Sequence, residues 1–207
     1  MAEVTTAEAS EQSHATSLGL SNNKLGMWTL LGSECLFFGA LISTYLIYYG
    51  RHNEKPEISP VIFDIPFTSV STFVLLMSSL GMVLALAAIQ QADYRAFRVW
   101  CMATAMLGTT FLSGQIYEFT VFASEGMNLT TSPFTSAFFL LTGFHGMHVT
   151  VGVLMLLTLW ARSLSGRLTS EHSEVVENVG LYWHFVDIVW IIIFTAVYLI
   201  PYEQFTA

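Results

Sequence analysis

Five long apolar windows constrain the fold of this chain more than any other feature of its sequence. A helix needs about 20 apolar residues to cross the hydrocarbon core of a bilayer, and each window reaches that length. Because 54% of the 207 residues are hydrophobic and only 11% are charged, we expect an all-α integral membrane protein. The windows predict a bundle of five transmembrane helices at residues 26–49, 67–90, 99–122, 136–160 and 180–200.

The residues before the first window have a different composition. Residues 1–23 are rich in Ser, Thr, Ala and Glu, contain no Lys or Arg and lack an apolar run. They therefore predict a disordered polar tail and do not have the pattern of a secretory signal peptide. Residues 24–207 are expected to form a single membrane domain, since the windows and short loops leave no room for a water-soluble catalytic domain.

The basic residues that flank the windows predict the orientation of the chain. Basic residues in short loops are retained on the cytoplasmic side of a membrane. With five spans, five basic residues lie on the side of the N-terminus and two on the opposite side, so we expect a cytoplasmic N-terminus and an exported C-terminus. The first group is Lys24, Arg95, Arg98, Arg162 and Arg167, and the second is Arg51 and Lys55. The net charge of -8 argues against nucleic acid as a partner.

Six ionisable side chains inside the windows are the candidate functional residues. An ionisable group at membrane depth is costly, so by default it marks a function or a specific partner. The central part of each window has no Lys or Arg, so we expect the carboxyl groups to be protonated or paired across helices. The alternatives for each residue are interhelical packing and proton handling, and depth favours proton handling most for Glu34. The six are Glu34, Glu118, His145, His148, His184 and Asp187.

The spacing of these residues predicts some of their neighbours. His145 with His148, and His184 with Asp187, lie three residues apart, so each pair shares one face of a helix. Depth along the windows places Glu118 and His145 where they can meet in the outer half of the membrane.

A metal or haem site fits this pattern poorly. A di-iron bundle has Glu-x-x-His motifs on two helices, and no window contains one. Two histidines on one face cannot both be axial ligands of one haem. We therefore expect no metal or haem site in this chain. An independent b-type haem protein, or a proton-coupled transporter that uses the buried histidines, is kept as an alternative.

Two further expectations concern packing. The second window lacks ionisable residues, and small residues such as Gly81 and Ala85 predict a helix that packs closely against its neighbours. Cys35 and Cys101 both lie in apolar windows, so we expect buried, reduced thiols.

Four stretches of the sequence match the pattern of a known membrane-protein family. They are LGMWTLLGSECLFFGALISTY at 25–45, GQIYEF at 114–119, SAFFLLTGFHGMHVTVGV at 136–153 and LYWHFVDIVWIIIFTAVY at 181–198. They fall in four of the five windows and follow the family's order. In these stretches the chain resembles subunit III of the haem-copper terminal oxidases, which has cytochrome c oxidase and quinol oxidase versions.

The resemblance implies a subunit without redox centres, docked on the catalytic subunit I that carries the haem and copper, together with subunit II. It implies a multi-pass protein of the cell's inner (plasma) membrane that serves aerobic electron transport and proton pumping. In this family, subunit III supports proton uptake, protects the complex from inactivation during turnover, and binds phospholipid.

The resemblance also extends to single residues. Glu34 corresponds to the family's intramembrane carboxylate in an S-E-x-x-F-F motif. His145 and His148 match the histidines of GFHGxH, and His184 and Asp187 match the pair in WHFVD.

The chain departs from the longer family form, which has seven helices. The missing pair corresponds to two N-terminal helices that form one wall of a lipid cleft, and in short members an extension of subunit I can fill that place. Arg95, Arg98 and Arg162 lie at the cytoplasmic ends of windows. They are candidates for binding lipid head groups, and solvated flanking charges are the alternative.

Two questions about the partners stay open at this point. A cytochrome c oxidase is favoured over a quinol oxidase as the commoner setting of the family. A subunit III-like partner of nitric oxide reductase is the alternative within the same superfamily.

Overall fold

The computed structural model describes residues 21–49 and 64–199, and this part of the chain is helical. A 3₁₀ turn at Ser170–His172 precedes the last helix, and a π-helical stretch at Thr195–Leu199 continues it. The expected all-α architecture is therefore confirmed for the described ranges, whereas residues 1–20 of the predicted tail lie outside them. The five helices are α1 (Asn22–Tyr49), α2 (Ile65–Gln90), α3 (Tyr94–Ser124), α4 (Pro133–Leu164) and α5 (Ser173–Phe194).

Helices α1 to α4 each contain one apolar window, whereas the fifth window, 180–200, begins in α5 and continues into the π-helical stretch at Thr195–Leu199. Capping residues set where several of the helices begin. Asp93 accepts hydrogen bonds from the backbone N–H groups of Arg95 and Ala96 at the start of α3. Ser132 and Thr135 form a capping box at the start of α4, with Pro133 as its first residue. Polar residues extend a helix past its apolar window because caps satisfy the free backbone N–H groups at its end.

Four of the helical segments are long and apolar enough to cross a membrane. They are Asn22–Tyr49, Ile65–Gln90, Pro133–Leu164 and Ser170–Leu199. The fifth helix, α3, has 31 residues and is therefore long enough to cross a membrane. Its apolar content is reduced by polar residues in its central turns, namely Thr104, Thr109, Thr110, Ser113 and Gln115.

The bundle core lies where α5 packs between α2 and α4. Trp183 of α5 is fully buried, and its Nε1 donates a hydrogen bond of 2.9 Å to Ser78 Oγ on α2. Two glycines make room for the indole ring. A Cβ atom at Gly108 of α3 would lie 2.5 Å from the Trp183 ring, and one at Gly152 of α4 would lie 2.7 Å from it. Only glycine permits this close approach.

Helix α1 is the least embedded element. It packs mainly on α4 and α5 through a narrow seam of buried residues spaced seven apart, Leu31, Phe38 and Tyr45.

Cys35 lies outside this seam and is exposed, so the expectation that it is buried was wrong. Cys101 is buried, and its thiol contacts the Leu156 carbonyl oxygen at 3.4 Å.

Candidate functional site

The structure joins Glu34 of α1 to His148 of α4. The Nε2 atom of His148 lies 3.2 Å from Oε2 of Glu34. The Nδ1 atom of the same ring lies 2.7 Å from the Phe144 carbonyl oxygen. Since a carbonyl oxygen only accepts, Nδ1 carries a hydrogen. The Glu34–His148 contact therefore holds one proton, either on Nε2 facing a carboxylate or on the carboxyl group facing a neutral imidazole.

The surroundings of this pair are mostly aromatic. The Phe38 ring lies edge-on to His148 at 5.0 Å, and Phe37 lies edge-on to Phe144 at 5.2 Å. The pair is not sealed, because the side chains of His148 and Glu34 keep 14% and 22% of their surface exposed. Glu34 lies near the midpoint of α1. An ionisable pair thus opens onto the surface of the bundle at a depth where hydrocarbon is expected.

A second polar group joins α5 to α2. His184 and Asp187 lie on the same side of α5, and both contact the hydroxyl group of Ser79. Ser79 Oγ lies 2.7 Å from His184 Nδ1, and it donates a short hydrogen bond to Asp187 Oδ2. Asp187 is 3% exposed, and its other oxygen has no hydrogen-bond partner among the described residues. The carboxyl group therefore depends on one hydroxyl for its pairing.

Glu118 does not meet His145, although their depths allowed it. Glu118 of α3 accepts a short hydrogen bond from Thr68 Oγ1 of α2, and it is also bonded to the Tyr198 hydroxyl group. The two residues have different neighbours: Glu118 is bonded to Thr68 of α2 and to Tyr198 in the stretch that continues α5, whereas His145 contacts Trp190 of α5.

His145 is fully buried among aromatic rings. Its ring stacks on Trp190 of α5 at 4.8 Å and lies edge-on to Phe111 of α3 at 5.8 Å. Neither ring nitrogen has a hydrogen-bond partner within the described ranges. The imidazole thus contributes a flat packing surface between Trp190 and Phe111.

The hydroxyl groups of α2 were missed by the sequence reasoning, which assigned this helix to packing alone. Four of them meet polar groups of α3 or α5. Thr72 Oγ1 accepts a hydrogen bond of 2.9 Å from Trp190 Nε1, and Ser78 accepts one from Trp183. The spacing of these residues in the sequence could have predicted the contacts, since hydroxyl residues along one face of an apolar helix can form hydrogen bonds to neighbouring helices. These four hydroxyl residues of α2 are Thr68, Thr72, Ser78 and Ser79.

The three candidate head-group residues differ in their availability. The guanidinium group of Arg98 is already hydrogen bonded within the protein. It donates to Ser163 Oγ at 3.0 Å and to the Ser163 carbonyl oxygen at 2.7 Å. That contact caps the end of α4. Arg95 and Arg162 are exposed, and Arg162 lines a shallow groove with Leu154 and Leu157.

A metal site needs several His, Cys, Asp or Glu side chains close together. Within residues 21–49 and 64–199, no group of three His, Cys, Asp or Glu side chains comes together as a metal ion would require. The histidines of α4 and α5 instead divide among the contacts with Glu34, Trp190 and Ser79.

Comparison with known proteins gives a consistent result. The family model described as cytochrome c oxidase subunit III matches residues 3–202. The chain is 39% identical over 191 residues to cytochrome c oxidase subunit 3 of Bacillus sp. (strain PS3), covering 92% of this chain and 91% of that protein. It is 36% identical over 178 residues to probable quinol oxidase subunit 3 of Staphylococcus saprophyticus and of Staphylococcus aureus (strain USA300), covering 86% of this chain and 89% of each relative.

These matches extend over nearly the whole chain and agree with the four stretches identified in the sequence. Four helices that are long and apolar enough to span a membrane accompany them. The chain therefore belongs to the cytochrome c oxidase subunit III family, whose members are membrane-embedded, non-catalytic subunits of respiratory haem-copper oxidases.

Proposed function

We propose that this chain is the accessory subunit III of a proton-pumping haem-copper oxidase in the plasma membrane. It docks on the catalytic subunit I and on subunit II, which hold the haem and copper, and it supports the reduction of dioxygen to water by those partners. A cytochrome c oxidase is the preferred setting, since a cytochrome c oxidase subunit 3 shares 39% identity with the chain. A quinol oxidase is the alternative, on the basis of relatives at 36% identity.

The observation that carries the proposal is the Glu34–His148 pair. It holds one proton between α1 and α4, near the midpoint of α1. The described helices place no Lys or Arg side chain in contact with Glu34, so the proton on the pair is what balances its charge. A group of this kind can take up and return protons beside the proton path of a catalytic partner. The chain supports proton uptake in this way and contributes no catalytic residue.

The proposed topology has five spans. A tight turn at Gln91–Asp93 separates α2 from α3, and the two helices pack along each other. At 1.5 Å per residue, the 31 residues of α3 extend about 46 Å, which exceeds the thickness of a hydrocarbon core. A helix of this length alongside α2 crosses the same membrane. With α3 as a span, the N-terminus lies on the cytoplasmic side and the C-terminus on the exported side.

Lipid binding is the second part of the proposed role. The exposed side chains of Arg95 and Arg162 lie at the end of the bundle that the charge pattern assigns to the cytoplasm. Arg162 lies beside an apolar groove that it shares with Leu154 and Leu157. A guanidinium group above an apolar groove matches a phospholipid, whose phosphate lies above its acyl chains. Arg98 contributes less, because it is bonded to Ser163.

The experiment that tests the proposal is purification in mild detergent through an affinity tag on this chain. Mass spectrometry then identifies the subunits that co-purify, and a reduced-minus-oxidised spectrum reports their haem. We expect an oxidase subunit I and subunit II with their haem bands. The matched control is the same purification from cells in which the chain carries no tag.

Other outcomes of this purification discriminate the alternatives. A nitric oxide reductase large subunit in place of subunit I would replace the oxidase assignment. A chain that comes alone and still carries haem would make it an independent b-type cytochrome. Active oxidase preparations that lack the chain would contradict the accessory role.

A further inference from the structure

One hydroxyl group of α2 connects two ionisable side chains of α5. Ser79 Oγ lies 2.7 Å from His184 Nδ1 and is bonded to Asp187 Oδ2. The side chains at the two ends of this connection differ in their surface exposure. His184 is half-buried, whereas Asp187 is 3% exposed. The three side chains therefore lead from the bundle surface to an enclosed carboxyl group.

The hydrogen bonds in this group determine one another. A serine hydroxyl group has a single hydrogen to donate, and when Asp187 is ionised its oxygens only accept, so this hydrogen goes to Asp187 Oδ2. His184 Nδ1 must then donate its own hydrogen to Ser79 Oγ, because two acceptors cannot bond to each other. A neutral His184 with a hydrogen on Nδ1 leaves a lone pair on Nε2. The half-buried end of the group is thus a proton acceptor.

We propose that His184, Ser79 and Asp187 form a proton relay that loads one proton onto Asp187 through His184 Nε2. The relay extends the proposed function, and its use in the cell rests on that function. A proton that binds Nε2 displaces the Nδ1 hydrogen onto Ser79 Oγ. The hydroxyl hydrogen of Ser79 passes at the same time to Asp187 Oδ2. The net result is one proton taken up and one carboxylate neutralised, with no oxidation or reduction.

The loaded state keeps every hydrogen bond of the group. Asp187 now donates to Ser79 Oγ, and Ser79 donates its new hydrogen to His184 Nδ1. The imidazole is neutral again, with its hydrogen on Nε2. Only the direction of each bond has reversed, so the heavy atoms need not move. The reverse sequence returns the proton to the surface, which makes the group a store for a single proton.

Ionisable groups on the helices that pack against α5 either have partners elsewhere or, like Arg162 at the end of α4, are exposed. Helix α2 contributes none, because residues Ile65–Gln90 include no ionisable side chain. On α1 and α4, Glu34 and His148 bind each other, and His145 stacks on Trp190. Lys24 of α1 binds Glu177 of α5 at 2.6 Å. The behaviour of the relay is therefore set by its own three members.

Glu118 of α3 lies too far along the bundle to take part. Its partner Thr68 precedes Ser79 on α2 by three turns, which corresponds to about 16 Å along a helix axis.

Time-resolved infrared spectroscopy of the purified complex tests the relay. After a rapid drop in pH, the carbonyl stretching band of a protonated Asp187 appears, and it is assigned by its loss in Asp187→Asn. We expect Ser79→Ala to slow the appearance of this band by about tenfold or more, because the hydroxyl bridge is removed. Ser79→Thr keeps a hydroxyl group and is expected to restore the rate.

The adjacent serine provides a matched control. Ser78 of α2 is also buried, and its Oγ accepts a hydrogen bond from Trp183 Nε1. Ser78→Ala thus removes a similar interhelical bond without touching the relay, and its rate is expected to match the unmodified protein. If Ser79→Ala fails to assemble, His184→Gln replaces it, because an amide keeps a bond to Ser79 but cannot take a proton at the outer end.

Three results would overturn the relay. They are an unchanged rate in Ser79→Ala or His184→Gln, equal slowing in Ser78→Ala, and a complex in which no carboxyl band is lost in Asp187→Asn. These readouts require no enzyme turnover. Loss of the relay with normal co-purification of subunit I would leave the accessory role standing, whereas failure to co-purify would contradict that role directly.

Discussion

The imidazole of His148 on α4 binds the carboxyl group of Glu34 on α1, with 3.2 Å between Nε2 and Oε2. Because Nδ1 of the same ring donates to the Phe144 carbonyl oxygen, the pair shares one proton. This contact supplements the narrow apolar seam that attaches the least embedded helix to the bundle. It thus combines a packing role with the ionisable chemistry expected of a site near a proton path.

Replacing Glu34 by glutamine separates these two roles. The amide keeps the shape of the side chain and a hydrogen bond to His148, but it removes the ionisable proton. We expect Glu34→Gln to assemble normally and to lower the number of turnovers before inactivation severalfold, as measured by oxygen consumption during prolonged turnover. Glu125→Gln, at the exposed end of α3, is the control. Unchanged kinetics in Glu34→Gln would reduce Glu34 to a packing residue.

The bond between Thr68 and Glu118 predicts a loss of stability when the hydroxyl group is removed. In Thr68→Val the buried carboxyl group of Glu118 loses a donor, at a cost of about 1 to 3 kcal/mol. The measurement is the thermal unfolding of the purified complex. Thr120→Val, which removes an exposed hydroxyl group of α3, is expected to change stability by less than about 0.5 kcal/mol. Equal effects of the two substitutions would contradict the prediction.

The glycine contacts of Trp183 predict a different kind of defect. A Cβ atom at Gly152 would lie 2.7 Å from the indole ring, and both are buried, so Gly152→Ala is expected to cost about 1 to 3 kcal/mol through overpacking. Gly143 lies on the same helix, and a Cβ atom there meets nothing within 4 Å. Gly143→Ala should therefore retain full stability in the same unfolding assay. A stable Gly152→Ala complex would show that α4 and α5 can move apart without loss.

The unpaired nitrogens of His145 predict that a phenyl ring is tolerated at this position. His145→Phe keeps a flat ring against Trp190 and removes two buried polar atoms that lack partners among the described residues. Replacing such a group by an apolar one of similar shape is neutral or stabilising. We expect the unfolding temperature to stay level or rise, and the haem content of the complex to stay the same. A marked loss of either would mean that the imidazole nitrogens bind a partner.

The helices and the candidate residues were accessible from the sequence because they depend on local properties. The length and apolar content of a segment decide whether it forms a membrane helix, and an ionisable residue inside it stands out without reference to any neighbour. Glu34, Glu118, His145, His148, His184 and Asp187 were all found in this way. The motifs around them also identified the family, which the comparisons then confirmed.

The partners of those residues were decided by the tertiary structure. Depth along a helix is readable from the sequence and made Glu118 and His145 plausible neighbours, yet Glu118 binds Thr68 and His145 stacks on Trp190. Ser79, which looked like a packing residue, became the link between His184 and Asp187. The physical reason is that a contact needs both matching depth and matching rotation of two helices about their axes. The rotation depends on how all the side chains of the bundle pack together, and no single segment contains that information.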